Sequence, residues 1–334
     1  MRADFMASNN QRSSITENDR CAMTENNKAA APANGHPRET PSSETPSLET
    51  PSGKSAETEN FPVGSRLIAA HLRPHVGRFY AFARAIDDIA DNPDLAPEDK
   101  CARLDIFAAT VMGEALDEAP LTARRLHESL EETGVSVRHC LDLISAFKQD
   151  AVQNRYESFD DLIDYCNRSA APVGRYLLDL HGEDQAFWPI SDALCNSLQI
   201  INHLQDCGDD YHQMNRIYLP QSDLREAGAV DTDLGRAKTS PALRAVIDRL
   251  IESVHELNDQ AARLPKALQS RRLAAESAVI HNIARSLTTE LARRDPLAER
   301  IKLSRWQIAM AAGGGLLSTL VSRPEKPLPK KPRS

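Results

Sequence analysis

Two stretches decide the reading: RFYAFARAIDDIAD, residues 78–91, and NSLQIINHLQDCGDDY, residues 196–211. In both, apolar side chains recur at three- and four-residue intervals, the spacing of a helix with a buried side. With Arg84 set at zero on a helical wheel, Tyr80 falls at about −40°, Asp87 at about −60° and Asp91 at about −20°. One stripe thus carries an arginine and two carboxylates one turn apart, with Asp88 on its edge. Phe79, Phe82, Ile86 and Ile89 flank it, so the helix is not a plain solvated face. In the second stretch Gln199, Asn202, Asp206 and Asp210 share a stripe within about 80°. Leu198, Ile200, Ile201 and Leu204 occupy much of the remaining circumference, so these polar groups need partners in a largely buried setting.

The same periodicity extends outward from both stretches. From Asn60 to about Ser322 no sustained apolar–polar alternation occurs, and prolines punctuate the pattern, predicting eight to ten helices and no sheet. The expected helices cover 75–91, 97–112, 136–153, 159–181 (kinked at Pro172), 187–212, 242–263, 269–293 and 296–311. Residues 1–58 hold a single aromatic, Phe5, and the repetitive ETPSSETPSLETPS of Glu39–Ser52, and are expected to be a disordered tail. Residues 59–311 form the expected helical domain. Residues 312–334 form a tail, first apolar and glycine-interrupted, then basic and proline-rich (SRPEKPLPKKPRS). A frayed helix end with a solvated tail is one reading of that end; peripheral contact with anionic lipid is the other.

The chain has 334 residues, of which 41% are hydrophobic and 26% charged, enough for one large core. A formal net charge of −8 argues against a nucleic-acid partner. Six cysteines without a C-x-x-C pair disfavour a zinc site or a disulfide scaffold and suggest a reducing compartment. Without a 20-residue apolar run or an apolar leader, the expectation is a soluble cytoplasmic protein, or one peripheral at the cytoplasmic face of the inner membrane.

A single D-x-x-x-D on a helix usually means a solvated face. Two copies on apolar helices, with Asp87 and Asp206 119 residues apart in sequence, suggest carboxylates that face one another. Facing carboxylates repel unless cations sit between them, and magnesium prefers carboxylate, water and phosphate oxygens. Asp87, Asp91, Asn202, Asp206 and Asp210 are therefore the candidate metal ligands. Arg84 can hold a phosphate oxygen, and Gln199 and Asn202 can position a leaving group. Apolar helix faces nearby would house a hydrocarbon, with Phe79, Tyr80 and Phe82 able to stabilise a cation. This chemistry suits ionisation of a prenyl diphosphate.

With these motifs the chain resembles the squalene/phytoene synthase family over roughly Asn60–Trp306. NRIYLP (Asn215–Pro220) just downstream of the second motif adds to the likeness. The resemblance implies an all-α class I terpenoid synthase bundle around a central cavity. Within the family, ENFPVGSRL (Glu59–Leu67), LRPHVGRFYAFARAIDDIAD (Leu72–Asp91) and DYCNRSAAPVGRYLL (Asp164–Leu178) are most similar to the bacterial branch that makes hydroxysqualene for hopanoids. Gln205–Asp206 also stands where many squalene and phytoene synthases have Arg–Asp.

That likeness implies conversion of presqualene diphosphate and water to hydroxysqualene and diphosphate, with two or three magnesium ions bridged by diphosphate and no NADPH. It also implies other enzymes of the same pathway as partners. It adds Tyr80, Asp150, Arg168, Arg216, Tyr218 and Arg300 as substrate-binding candidates, with Arg155 beside Asp150 in one helix, and Arg300, Lys302 and Arg305 as a basic cluster over the diphosphate. Arg168 is also open to a surface reading. Asn167 and Arg168 stand where squalene synthases carry a catalytic tyrosine, with Tyr165 earlier, which weakens the case for cyclopropane formation from two farnesyl diphosphates. His203 reads as a satisfied core histidine, or as an aid to water capture. Presqualene diphosphate, squalene or phytoene synthesis is the alternative activity, and a non-catalytic assembly factor is the alternative class.

Overall fold

The computed structural model describes residues 67–114 and 119–321. The expected tail 1–58 and the basic end 322–334 lie outside the described residues. Twelve α-helices follow in order among those described: α1 Arg73–Ala90, α2 Pro97–Val111, α3 Leu121–Thr133, α4 Arg138–Val152, α5 Phe159–Ser169, α6 Ala171–Leu180, α7 Trp188–Met214, α8 Gln221–Ala227, α9 Pro241–Ala261, α10 Leu264–Ala267, α11 Arg271–Arg293 and α12 Arg305–Val321. No strand occurs among the described residues, only an isolated bridge between Arg155 and Ile217.

Proline sets many of the helix starts. Pro74, Pro97, Pro172, Pro189, Pro241 and Pro265 each occupy one of the first two positions of a helix, where no amide donor is missed. Pro172 therefore does more than kink the expected helix 159–181. The chain breaks at Ala170 (φ −123°, ψ −46°) and restarts as α6. Arg155 also leaves its expected helix, because α4 ends at Val152.

The expected helix 296–311 is displaced. Asp295 accepts amides from Thr239 and Leu297, which fixes a turn, and no helix starts until Ser304 and Gln307 form a reciprocal cap. From Arg305 the helix continues through the glycines to Val321. It seats on α11 at Gly315, where a Cβ would lie 2.7 Å from the Val279 amide nitrogen. Only glycine permits that approach.

Two buried apolar clusters hold the bundle. One gathers Phe79, Phe82, Ile86 and Ile89 of α1 with α2, α3, α4 and Tyr176 of α6; the other is built on α5, α7, α9 and α11. Phe79 stacks on Tyr176 at 3.9 Å. These contacts leave the polar stripes of α1 and α7 aimed away from the core packing.

Candidate active site

A chamber and a cleft lie along the same two helices. The chamber is lined by Val76, Phe79, Tyr80 and Ala83 of α1, by Val173 and Leu177 of α6, by Leu194 and Leu198 of α7, and by Leu273 and Ile280 of α11. Arg84 and Asp87 stand on its wall. One turn further along α1, Asp91 lines the cleft, together with Asp206, Asp209 and Asp210 of α7. Along α7 the chamber residues Ser191, Cys195 and Leu198 lie on the same broad face as Asp206 and Asp210, about 120° wide. Both helices therefore run from hydrocarbon lining to acidic lining in the same direction. Gln199 and Asn202 fall between, half-buried, and line neither cavity.

Each motif holds arginine as well as acid. Arg84 bonds Asp87 at 2.8 Å and lies 3.2 Å from Asp88. Arg216 bonds Asp91 at 3.0 Å, and Arg300 lies 3.5 Å from Asp206. The NRIYLP segment explains how Arg216 gets there. Asn215 takes the left-handed conformation (φ 50°) that ends α7, and the reversed chain delivers Arg216 back into the cleft. Arg155 secures that turn through the Asn215 carbonyl and side chain while bonding Asp231 at 2.8 Å, so its part is structural.

Behind Arg216 sits a buried polar network. Tyr165 donates to Asp150 at 2.6 Å, Tyr218 donates to the same carboxylate at 3.3 Å, and Arg216 donates to the Asp150 carbonyl at 3.2 Å. The capping box of Ser158 and Asp161 starts α5 and so sets the register of Tyr165. Burial pushes Asp150 up to about 6, against the pull of Arg216. His203 stacks on Tyr218 at 3.5 Å, and burial with Arg216 nearby pushes it down to about 3, so it is neutral. Its Nε2 has no hydrogen-bond partner, so the expected satisfied histidine is stacked rather than bonded.

In the cleft, burial followed by the charge of Asp206 raises Asp210 to about 7. The site is short of positive charge. Its donors are hard oxygens, which fits magnesium. Among the described residues no group of three or more His, Cys, Asp or Glu is arranged to hold a metal ion.

Other expected residues fall as follows. Tyr80 lines the chamber, and Asp150 and Arg300 line the cleft. Tyr218 is buried behind the cleft. Arg168 bonds Ser145, Gln149 and Asp164 between α4 and α5 and lines neither cavity. Lys302 and Arg305 are exposed.

Lys100, Asp209 and Glu276 escaped the sequence reading, as did the bond made by Gln205, noted there only as a departure from Arg–Asp. Lys100 lines the cleft from the first turn of α2 and donates to the Ala90 carbonyl at 2.7 Å; the short link after α1 was its signal. Gln205 donates to the Ile301 carbonyl at 2.6 Å and so fixes Arg300 near Asp206. Glu276, buried on α11, lines the chamber and had no signal beyond helical spacing.

An acidic, arginine-bearing cleft beside an apolar chamber in a helical bundle is an arrangement suited to a synthase that processes prenyl diphosphates. The squalene/phytoene synthase model matches residues 55–307, and the chain belongs to that family. It is 43% identical to hydroxysqualene synthase of Zymomonas mobilis over 270 residues, covering 79% of this chain and 90% of the relative. It is 42% identical to hydroxysqualene synthase of Rhodopseudomonas palustris, covering 81% and 92%. Among solved structures it is similar to squalene synthase HpnC from Alicyclobacillus acidocaldarius, with TM-score 0.62 and 31% identity over 71% of this chain and 90% of that one.

Proposed function

We propose that this chain is a hydroxysqualene synthase that converts presqualene diphosphate and water to hydroxysqualene and diphosphate. The observation that carries the reading is the shared course of α1 and α7, which sets Arg84 and Asp87 on the wall of an apolar chamber one turn before the acidic cleft. The identity to relatives of that name supports the choice of product.

In this reading Asp87, Asp91, Asp206 and Asp210 would hold magnesium, which would neutralise charge on the departing diphosphate, whereas Asn202, expected as a further ligand, lies outside both cavities. Arg84, Arg216 and Arg300 donate to its oxygens as the C–O bond breaks. The electron pair of that bond leaves with diphosphate, and the C30 carbocation stays among Phe79, Tyr80 and the aliphatic walls. Aromatic faces favour a cation by about 0.5–2 kcal/mol each. The oxygen of water then bonds to the rearranged cation and a proton is released, giving the alcohol. No hydride is consumed, so no reductant is needed.

Presqualene diphosphate supplied with magnesium, with and without NADPH, tests this directly. Alcohol in both incubations is expected. Hydrocarbon appearing only with NADPH, or turnover of farnesyl diphosphate alone, would replace this reading with squalene or presqualene diphosphate synthesis.

A further inference from the structure

Nine large apolar side chains stand exposed among the described residues, and five of them, Trp306, Ile308, Met310, Leu316 and Leu317, belong to α12. Trp306, Met310, Leu316 and Leu317 share one side of that helix, within about 120°. Its opposite side is seated at Ala311 and Gly315, beyond the exposed Ile308. Ala311 is buried, Asn282 donates to the Ala311 carbonyl at 3.1 Å, and Gly315 meets the backbone of α11. The exposed stripe is therefore held facing outward by a packed seam, and is not a fraying end.

Beside the stripe lies a groove of about 430 Å³, lined by Asn282, Arg285, Ser286 and Thr289 of α11 and by Trp306 and Met310 of α12. Arg285 is exposed and its guanidinium enters no ion pair among the described residues. The Ser286 and Thr289 hydroxyls and the Asn282 amide already donate to the Asn282, Arg285 and Ala311 carbonyls, so the guanidinium is the donor that this groove offers a phosphodiester, and a tryptophan at its rim suits the polar–apolar boundary of a bilayer. The sequence after α12 adds five basic residues against one acid in SRPEKPLPKKPRS, complementary to an anionic surface. No described helix is long and apolar enough to cross a membrane, so the helix would lie in the interface.

We propose that α12 docks this protein on an anionic bilayer, with the stripe of Trp306, Met310, Leu316 and Leu317 in the headgroup–acyl boundary and a phospholipid phosphate on Arg285 in the groove. Only α11 separates this face from the chamber, since Leu273, Ser277 and Ile280 of that helix line the chamber wall. The proposal does not depend on which prenyl diphosphate the chamber takes.

The full chain is mixed with vesicles of phosphatidylcholine, with or without phosphatidylglycerol, and recovered by flotation. Binding to the anionic vesicles is expected, with Trp306 emission quenched by brominated acyl chains. The triple variant Trp306→Ser/Met310→Ser/Leu317→Ser should lose about tenfold or more of the bound fraction. Arg285→Gln should weaken binding to the phosphatidylglycerol vesicles alone. Both variants should keep wild-type turnover of detergent-dispersed substrate and wild-type melting. Undiminished flotation of the triple variant would overturn the proposal, because the basic end alone would then carry binding. So would quenching that survives Trp306→Phe, absence of vesicle binding by the full chain, or light scattering that shows the stripe buried in a dimer.

Discussion

Asp210 offers a test that needs no substrate. Burial and Asp206 hold its carboxyl at about 7, against an ordinary value of 3.8. A carboxyl raised in the folded state binds more proton there than in the unfolded chain, so stability falls as pH rises from about 4 to about 7. Three units correspond to a ceiling of about 4 kcal/mol above pH 7, which solvent at the cleft mouth and counter-ions lower. Asp210→Asn removes the charge and the penalty. Without divalent ions, the variant should therefore match the wild type at pH 4 and exceed it at pH 8, by several degrees in Tm at about 2–4 °C per kcal/mol. Turnover should be lost. Added magnesium with inorganic diphosphate should raise the wild-type Tm at pH 8 and do much less for the variant. Thermal or urea unfolding at the two pH values, with EDTA and with magnesium, measures all of this. A gap no larger at pH 8 than at pH 4 would refute the argument that Asp210 sits in a cleft short of positive charge.

Three further outcomes are expected. Asp87→Ala or Asp206→Ala should abolish diphosphate release while circular dichroism stays that of the folded chain; wild-type-like turnover in either would contradict the two-motif site. Tyr165→Phe removes the 2.6 Å hydrogen bond to buried Asp150, and should cost about 1–3 kcal/mol in urea unfolding and weaken binding of inorganic diphosphate through Arg216. Gly174→Val introduces a Cβ that would lie 2.5 Å from the Ser191 Oγ and 2.7 Å from the Cys195 Sγ, crowding the chamber wall. It should slow turnover of the C30 substrate and leave binding of inorganic diphosphate, measured by calorimetry, near wild type.

The parts legible in the sequence were those that local periodicity controls. The spacing of Phe79, Phe82, Ile86 and Ile89 fixed the buried side of α1, and with it the stripe of Arg84, Asp87 and Asp91; Asp206 and Asp210 followed in the same way on α7. What depended on the path between helices was not legible. Ser304 and Gln307 form a cap whose strength over an earlier start at Pro296 is decided by Asp295, which is tied to Thr239 of another segment. Gly315 looked like a helix interruption in the run IAMAAGGGLL, yet its missing side chain is what lets α12 meet α11. Lys100 and Gln205 act through backbone carbonyls, and such pairings leave no trace in residue type.

The charge inventory of the cleft connects these pieces. Five aspartates line it, Asp91, Asp150, Asp206, Asp209 and Asp210, against the cations Lys100, Arg216 and Arg300, a formal excess of two negative charges. Arg84 and Asp87 on the chamber wall cancel one another. A diphosphate brings about three further negative charges, so binding it without cations would stack repulsion on repulsion in a poorly solvated space. In the proposed reading, two or three divalent ions would bring the total close to neutrality. In that reading the arginines, each already beside a motif carboxylate, would turn to the diphosphate, and the acidic cleft would favour metal-complexed diphosphate over the bare anion.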